Sequence, residues 1–293
     1  MNIPVYIRRR FGLVATVIAC AVSAPVVASE SVHLDTFPTE KMQSMPALQD
    51  GARTFVNYCL NCHSASMMRF NRLQDIGLTD EQISGSLQFT EGRVGDLMKV
   101  AMRHEDGKAW FGAAPPDLSV EARARASESG SGADWIYTYL RSYYRDGSRE
   151  TGWNNAIFPN VGMPNPLWQW QGMRGAVEER VAPVTDEATG KVTGWTKTTI
   201  TYDREGNKSE KVENVNGDGL HEGTHFTLGT PEGGTLSQAE FDDKVANLVA
   251  FMKFMSDPSA STRGRLGIWV LLFIALFVGC TWWLNREYWK DIK

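Results

Sequence analysis

The chain has 293 residues, 42% of them apolar and 22% charged, which excludes a disordered or fibrous protein and leaves ample material for a packed core. Lys and Arg total 30 against 34 Asp and Glu, so a formal charge of -4 gives no general reason to expect a nucleic-acid partner. The balance is uneven: residues 29–262 carry 22 basic and 32 acidic side chains, net -10, while the first 28 residues and the last 31 each contribute +3.

Met1 to Arg10 holds three arginines, Phe11 to Val22 is almost wholly apolar, and small residues follow, with Val26 and Ala28 placed for a peptidase before Ser29. That order predicts a signal peptide over 1–28. Arg8-Arg9-Arg10-Phe11 also fits a twin-arginine signal, but an ordinary basic leader suffices and the general secretory route is preferred.

Cys20 leaves with the leader and Cys280 falls in a long apolar run near the other end. The exported part keeps Cys59 and Cys62, which cannot make a disulfide framework. They form Cys59-Leu60-Asn61-Cys62-His63, the attachment pattern of c-type haem, in which two thiols add to the haem vinyl groups and the adjacent histidine ligates iron. A thioredoxin-like redox pair and half a zinc site are the competing readings. Against them, a second metal-binding pair is missing and no strand-to-helix setting precedes Cys59. From Pro46 onward Leu48, Ala52, Phe55, Val56, Cys59 and Cys62 recur at three- and four-residue steps, predicting a helix with both thiols on its apolar face.

A sixth iron ligand must come from the other side of the ring. Met67 and Met68 are expected on the same helix as His63, and Met98 and Met102, four apart, read as ordinary core residues of a helix. Asn160-Val161-Gly162-Met163-Pro164-Asn165-Pro166 has neither helical nor strand period, and its Gly and Pro predict a loop able to hold a thioether still. Met163 is therefore the candidate, with Met173 in Gly172-Met173-Arg174-Gly175 as runner-up and a plain surface turn as the alternative for the loop.

Residues 176–235 form a polar insertion with 11 acidic and 6 basic side chains. The alternation in Lys197-Thr198-Thr199-Ile200-Thr201-Tyr202, with turn signals at Gly194, Gly206 and Gly217-Asp218-Gly219, predicts one or two β-hairpins. The insertion contains His221-Glu222-Gly223-Thr224-His225, which matches the H-E-x-x-H pattern of zinc hydrolases and suggests a different function class. That chemistry needs a helix, and the surrounding glycines oppose one. Next, Ser237-Gln238-Ala239-Glu240 is a capping box opening a helix through Phe241, Val245, Leu248, Met252 and Met255, ending before Asp257-Pro258. Leu266 to Leu284 runs 19 residues without a charge, bordered by Trp269, Trp282, Trp283, Tyr288 and Trp289. It predicts a transmembrane helix over 263–285, an exported domain over 29–262 and a cytoplasmic tail over 286–293, with orientation set by the leader because basic residues are nearly balanced around the span.

Gly51-x-x-x-Phe55-x-x-x-Cys59-x-x-Cys62-His63 resembles the first helix of class I cytochromes c, in which the first and last helices cross beside the haem. A more specific resemblance follows from order. Cys59-x-x-Cys62-His63-Ser64, Ala114-Pro115-Pro116-Asp117-Leu118-Ser119, Arg123-Ala124-Arg125, Val161-Gly162-Met163-Pro164 and one carboxy-terminal span together resemble the cytochrome c1 family of the bacterial cytochrome bc1 complex, from about residue 30 to the end. The resemblance implies a mainly α fold: a class I cytochrome c-like haem domain with a β-hairpin insertion and one C-terminal transmembrane helix. It implies one covalent haem c, Met163 as axial ligand beside His63, Pro116 in the haem wall, Arg125 as a propionate partner and Trp135 as an aromatic beside the haem. It further implies an electron carrier of the respiratory chain with no catalytic activity of its own. Electrons would arrive from a Rieske iron-sulfur protein and leave to a soluble cytochrome c, with cytochrome b and membrane lipid as neighbours and the haem domain on the periplasmic side of the inner membrane. A free-standing anchored cytochrome feeding a terminal oxidase is the alternative.

Overall fold

The computed structural model describes residues 33–89, 92–186, 191–216 and 220–291. The expected signal peptide and the turn at 217–219 lie outside them. Ser44 caps α1 (Met45–Thr54), with Pro46 in its first turn, and the chain continues through a π-helical turn over Phe55–Cys59. β1 (Ala65–Arg69) follows, then α2 (Asp80–Ser86), β2 (Leu97–Met98), α3 (His104–Phe111), α4 (Glu121–Ala124) and α5 (Gly132–Arg141). β3 (Tyr143–Arg145) and β4 (Trp153–Asn155) make a small antiparallel pair, and α6 (Trp168–Gln171) precedes a sheet of β5 (Ala176–Thr185), β6 (Val192–Tyr202), β7 (Lys208–Val215) and β8 (Gly223–Leu228). The chain closes with α7 (Gln238–Ser256) and α8 (Ala260–Tyr288).

The main core is helical. α7 begins at the expected capping box and buries Phe241, Val245, Leu248, Val249, Phe251 and Met252. It lies against α1 so closely that a Cβ at Gly51 would stand 2.0 Å from the Asn247 carbonyl oxygen. Only a residue without a side chain permits that approach. Phe55 and Phe251 meet beside it, ring centroids 5.5 Å apart. Arg141 at the end of α5 grips Asp242 of α7 with two hydrogen bonds, 2.6 and 3.0 Å, and Asp35 with a third of 2.7 Å, so one guanidinium fastens three segments.

The insertion contains the two expected hairpins, β5–β6 and β6–β7, and is completed to a four-stranded antiparallel sheet in the order β7-β6-β5-β8 because β8 returns to the free edge of β5. Gly206 sits in a turn with φ +92°, as its signal suggests, whereas Gly194 lies inside β6. Ala176, Ile200 and Tyr202 close over Tyr144 as a small second core with Phe226 and Leu228.

Two helical assignments give way to strands. Met67 and Met68 lie on β1, since the helix ends before His63, and Met98 pairs with Ala65 from β2. Residues four apart share a face of a strand as well as of a helix, and runs this short show too few repeats to separate the two periods. α8 is long and apolar enough to cross a membrane from Thr262 to Tyr288, slightly beyond the expected 263–285.

Candidate functional site

The helical core encloses an apolar cleft whose walls include Cys59, Cys62, His63, Pro116, Arg125, Trp135, Tyr139 and Met163. Every residue that motif and resemblance single out for the cofactor therefore faces one space. Met173 does not line it. Its backbone is bridged to Glu232 by reciprocal hydrogen bonds of 2.8 and 2.9 Å, beside the base of the sheet.

The motif forms one wall. Cys59 and Cys62 are not paired in a disulfide, the first buried and the second partly so. Burial, helped by its neighbour Cys62, pushes the Cys59 thiol up to about 12, and burial raises Cys62 too. Neutral thiols are the opposite of the low-pKa thiolate that a disulfide-exchange site needs. His63 is 8% exposed and donates from Nδ1 to the Pro116 carbonyl at 2.8 Å. A carbonyl only accepts, so the proton sits on Nδ1 and Nε2 keeps a lone pair for a metal. Burial lowers the His63 pKa, against smaller upward effects of the Pro116 carbonyl, Glu121 and Asp117, and this favours the neutral, ligating form.

The role of Pro116 is thus twofold, lining the cleft and orienting the histidine, and its loop is tied down. The Asp117 carboxylate accepts from the Ser66 amide at 2.8 Å and the Ser119 amide at 2.9 Å. Ser119 Oγ accepts from the Met67 amide at 3.0 Å, and the Leu118 amide donates to the Ser64 carbonyl at 2.8 Å. Pro115-Pro116-Asp117-Leu118-Ser119 is therefore a strap laced to the residues just after His63. The sequence offered no spacing signal for this, because the partners lie some fifty positions apart.

The Met163 loop forms another wall. A Cβ at Gly162 would stand 2.5 Å from the Phe111 carbonyl oxygen, so glycine lets the loop approach α3. Asn160 holds φ +62°, unusual for a residue with a side chain, and its amide donates to Asn154 Oδ1 at 2.9 Å. Arg149 grips the same residue twice, donating to its Oδ1 at 3.1 Å and its carbonyl at 3.0 Å. Arg149 and Asn154 are positioning residues that sequence reasoning missed. Tyr139, also missed, donates from its hydroxyl to Met163 Sδ at 3.5 Å.

Arg125 lies 4.4 Å over the Trp135 ring, and Trp135 stacks on Tyr139 at 4.9 Å. The Arg125 Nε donates to Glu121 at 2.8 Å, leaving the rest of its fork on the cleft wall. Arg123 points to the surface, 3.9 Å from Asp257. The hydrolase pattern is not assembled: His225 is an exposed residue on β8 and His221 precedes the strand, so the two are not one helical turn apart. Among the described residues no three His, Cys, Asp or Glu side chains group as a metal site.

Mostly apolar walls, two cysteines three residues apart, a histidine whose Nδ1 is held by a carbonyl and a thioether in one cleft fit a covalently attached haem. These features define a c-type cytochrome. The sequence pattern of the Cytochrome C1 family matches residues 38–174, which include the attachment motif, the strap and the Met163 loop. The chain is 34% identical over 281 residues to cytochrome c1 of Allochromatium vinosum, covering 96% of this chain and 98% of that one. It is 39% identical over 272 residues to a protein named ammonia monooxygenase gamma subunit from Nitrosomonas europaea, with 92% and 94% covered. Cytochrome c1 of Rhodospirillum rubrum is 23% identical over 269 residues, with 85% and 82% covered. The chain belongs to the cytochrome c1 family, the haem c electron-transfer subunits of the cytochrome bc1 complex, and carries a covalently bound haem c.

Proposed function

We propose that the chain is a membrane-anchored one-electron carrier that accepts electrons from a Rieske iron-sulfur protein and passes them to a soluble cytochrome c, with cytochrome b as its membrane neighbour. The observation that carries this reading is a single cleft lined by Cys59, Cys62, His63 and Met163. Bound haem c supplies a reversible one-electron couple at its iron. Cys59 and Cys62 hold the group covalently, His63 ligates through Nε2 while Pro116 fixes its ring, and Met163 ligates from its loop. Pro116 and Trp135 exclude water, and Arg125 offsets propionate charge. A thioether beside a histidine favours the ferrous state relative to two histidines, which suits a high-potential carrier.

In the same reading residues 1–28 are a signal peptide, 29–262 are periplasmic, α8 anchors the protein in the inner membrane and 286–293 form the cytoplasmic tail. Haem staining after denaturing electrophoresis tests the covalent link. Met163→Leu should abolish the sulfur-to-iron absorption at the red end of the spectrum and lower the midpoint potential by on the order of 100 mV. If Met173→Leu does this instead, the ligand is Met173. The subunits that co-purify decide the partners. Cytochrome b and an iron-sulfur protein fit the proposal, whereas a terminal oxidase, or the ammonia monooxygenase after which the Nitrosomonas relative is named, would replace it.

A further inference from the structure

One carboxylate faces the cleft. Of the described side chains that line it, Glu121 and Arg125 are the two that carry a formal charge, and holding the haem employs Arg125 and leaves Glu121 without a task. The two are paired. Arg125 Nε donates to Glu121 Oε2 at 2.8 Å, and the Arg125 amide donates to the Glu121 carbonyl at 3.1 Å, so side chain and backbone close the same turn. The Glu121 side chain is 18% exposed and that of Arg125 36%, which makes the carboxylate the less solvated partner and the more weakly screened one. Both are also held from outside the pair. The Trp135 ring lies 4.4 Å from the guanidinium. A Cβ at Gly132 would stand 2.4 Å from the Ala122 carbonyl oxygen and 3.2 Å from that of Glu121, so α5 begins directly against α4 and fixes it. The charge is felt across the cleft wall: at His63, where burial is the strongest influence and lowers the pKa and the Pro116 carbonyl comes next, Glu121 pulls upward ahead of Asp117.

We propose that Glu121 sets the haem midpoint potential: its carboxylate holds Arg125 in place and cancels part of that cation's charge, which favours the ferric state over what Arg125 alone would allow. The proposal rests on the reading of Arg125 as the propionate partner. Reduction adds one electron, and so one negative charge, to the cleft. A carboxylate in the wall opposes that charge and a guanidinium offsets it, and in a mostly apolar site neither is damped as it is in water. Because Glu121 engages Nε, the terminal nitrogens of the fork remain for a propionate, whose charge has the same sign as that of Glu121. Two anions on one guanidinium share its field, so each is less neutralised than it would be alone. Glu121 is a positioning residue, acting on the cofactor through Arg125 and through space.

The test uses the full-length haem-loaded protein in membranes, poised by redox titration. Glu121→Gln keeps an oxygen that accepts from Arg125 Nε and removes the charge. At a fixed potential it should lower the ferric-to-ferrous ratio roughly fivefold, the scale of one partly screened unit charge, and leave the sulfur-to-iron absorption unchanged. Glu121→Asp keeps the charge, and its ratio should stay within about twofold of the parent. Arg125→Gln should raise the ratio, and the double variant Glu121→Gln with Arg125→Gln should return toward the parent, because one charge of each sign is gone. Should Glu121→Gln load no haem, Glu121→Ala decides by the same sign. An unchanged ratio in the uncharged variants overturns the proposal and leaves Glu121 as a solvated ion pair. A ratio that falls as far in Glu121→Asp as in Glu121→Gln overturns it too, since shape rather than charge would then be the cause. If the Glu121 variants shift as expected while Arg125→Gln leaves the ratio untouched, the result supports the Glu121 charge and overturns the propionate reading of Arg125, an outcome distinct from the others.

Discussion

Two regions of this chain are built by different rules. The helical core around the cleft depends on close approach: α1 and α7 touch through Gly51, the Met163 loop touches α3 through Gly162, and the buried faces of α5 and α7 are continuous. The four-stranded sheet depends on backbone pairing. β7 is exposed along nearly its whole length, its charges pair with neighbours on the surface, and the sheet's own core is a few side chains over Tyr144. The sheet also leaves and re-enters the core at one point, where the Gly229 amide donates to the Gly175 carbonyl at 3.0 Å. A region set by interlocking shapes tolerates little change, whereas one set by main-chain hydrogen bonds at an exposed site tolerates much.

A matched pair of substitutions gives the largest contrast. Gly51→Ala places a Cβ 2.0 Å from a helix carbonyl, an overlap that α1 can relieve only by moving off α7. The expected cost is about 3 kcal/mol or more, with poor haem retention, because Cys59 and His63 follow directly on α1. Gly194→Ala in β6 meets no atom nearer than 3.9 Å and has no left-handed backbone to strain. It should leave stability within about 0.5 kcal/mol of the parent, or raise it slightly. Chemical denaturation of both proteins checks the pair. Equal losses would show that the sheet is as tightly specified as the core.

The strap sharpens the comparison within the core. Burial pushes the Asp117 carboxyl upward, but the hydrogen bonds from Ser119 and Ser66 outweigh it and hold the group below the ordinary carboxylate range. With the folded pKa depressed, the stabilisation is fully present above the unfolded value and is lost as pH falls through the lower, folded one. Asp117→Ala, which removes two hydrogen bonds to a charged acceptor, should cost about 2 kcal/mol at neutral pH and flatten the acid side of the stability curve. A Pro116 loop freed in this way should also loosen His63, seen as broader axial-ligand signals in the loaded protein. An acid limb as steep as in the parent would mean that Asp117 titrates as a surface group.

This division tracks what was legible in the sequence. Cys59, Cys62 and His63 announce themselves through covalent spacing, the capping box Ser237–Glu240 through local hydrogen bonding, and α8 through length and apolarity, all short-range signals. Met163 stands out over Met173 because Gly and Pro mark its loop, and the resemblance points to the same residue. Tyr139, Asp117, Arg149 and Asn160 act through partners far along the chain or through a φ value, neither of which composition or periodicity encodes. The strands at Met67 and Met98 were misread because a strand only a few residues long shows too few repeats to separate period two from period 3.6.

The smallest expected effect lies in the sheet. Residues 29–262 have net charge -10, and residues 176–235 contribute -5 of it. Such a surface should draw a basic soluble cytochrome c toward the cleft by long-range attraction, which salt screens beyond about 8 Å at physiological ionic strength. The rate of oxidation by a basic cytochrome c should therefore fall steeply as salt rises. Replacing 177–227 with a two-glycine turn joins ends already beside each other and removes most of that charge without opening the helical core. The haem spectrum should be unchanged, and the rate at low salt should fall only a few-fold, since steering acts on encounter and the exposed acidic groups outside the sheet remain. A variant that loses its haem would break the comparison outright, because the sheet would then belong to the core. A variant whose rate and salt slope both match the parent would place docking wholly on the acidic face outside the sheet.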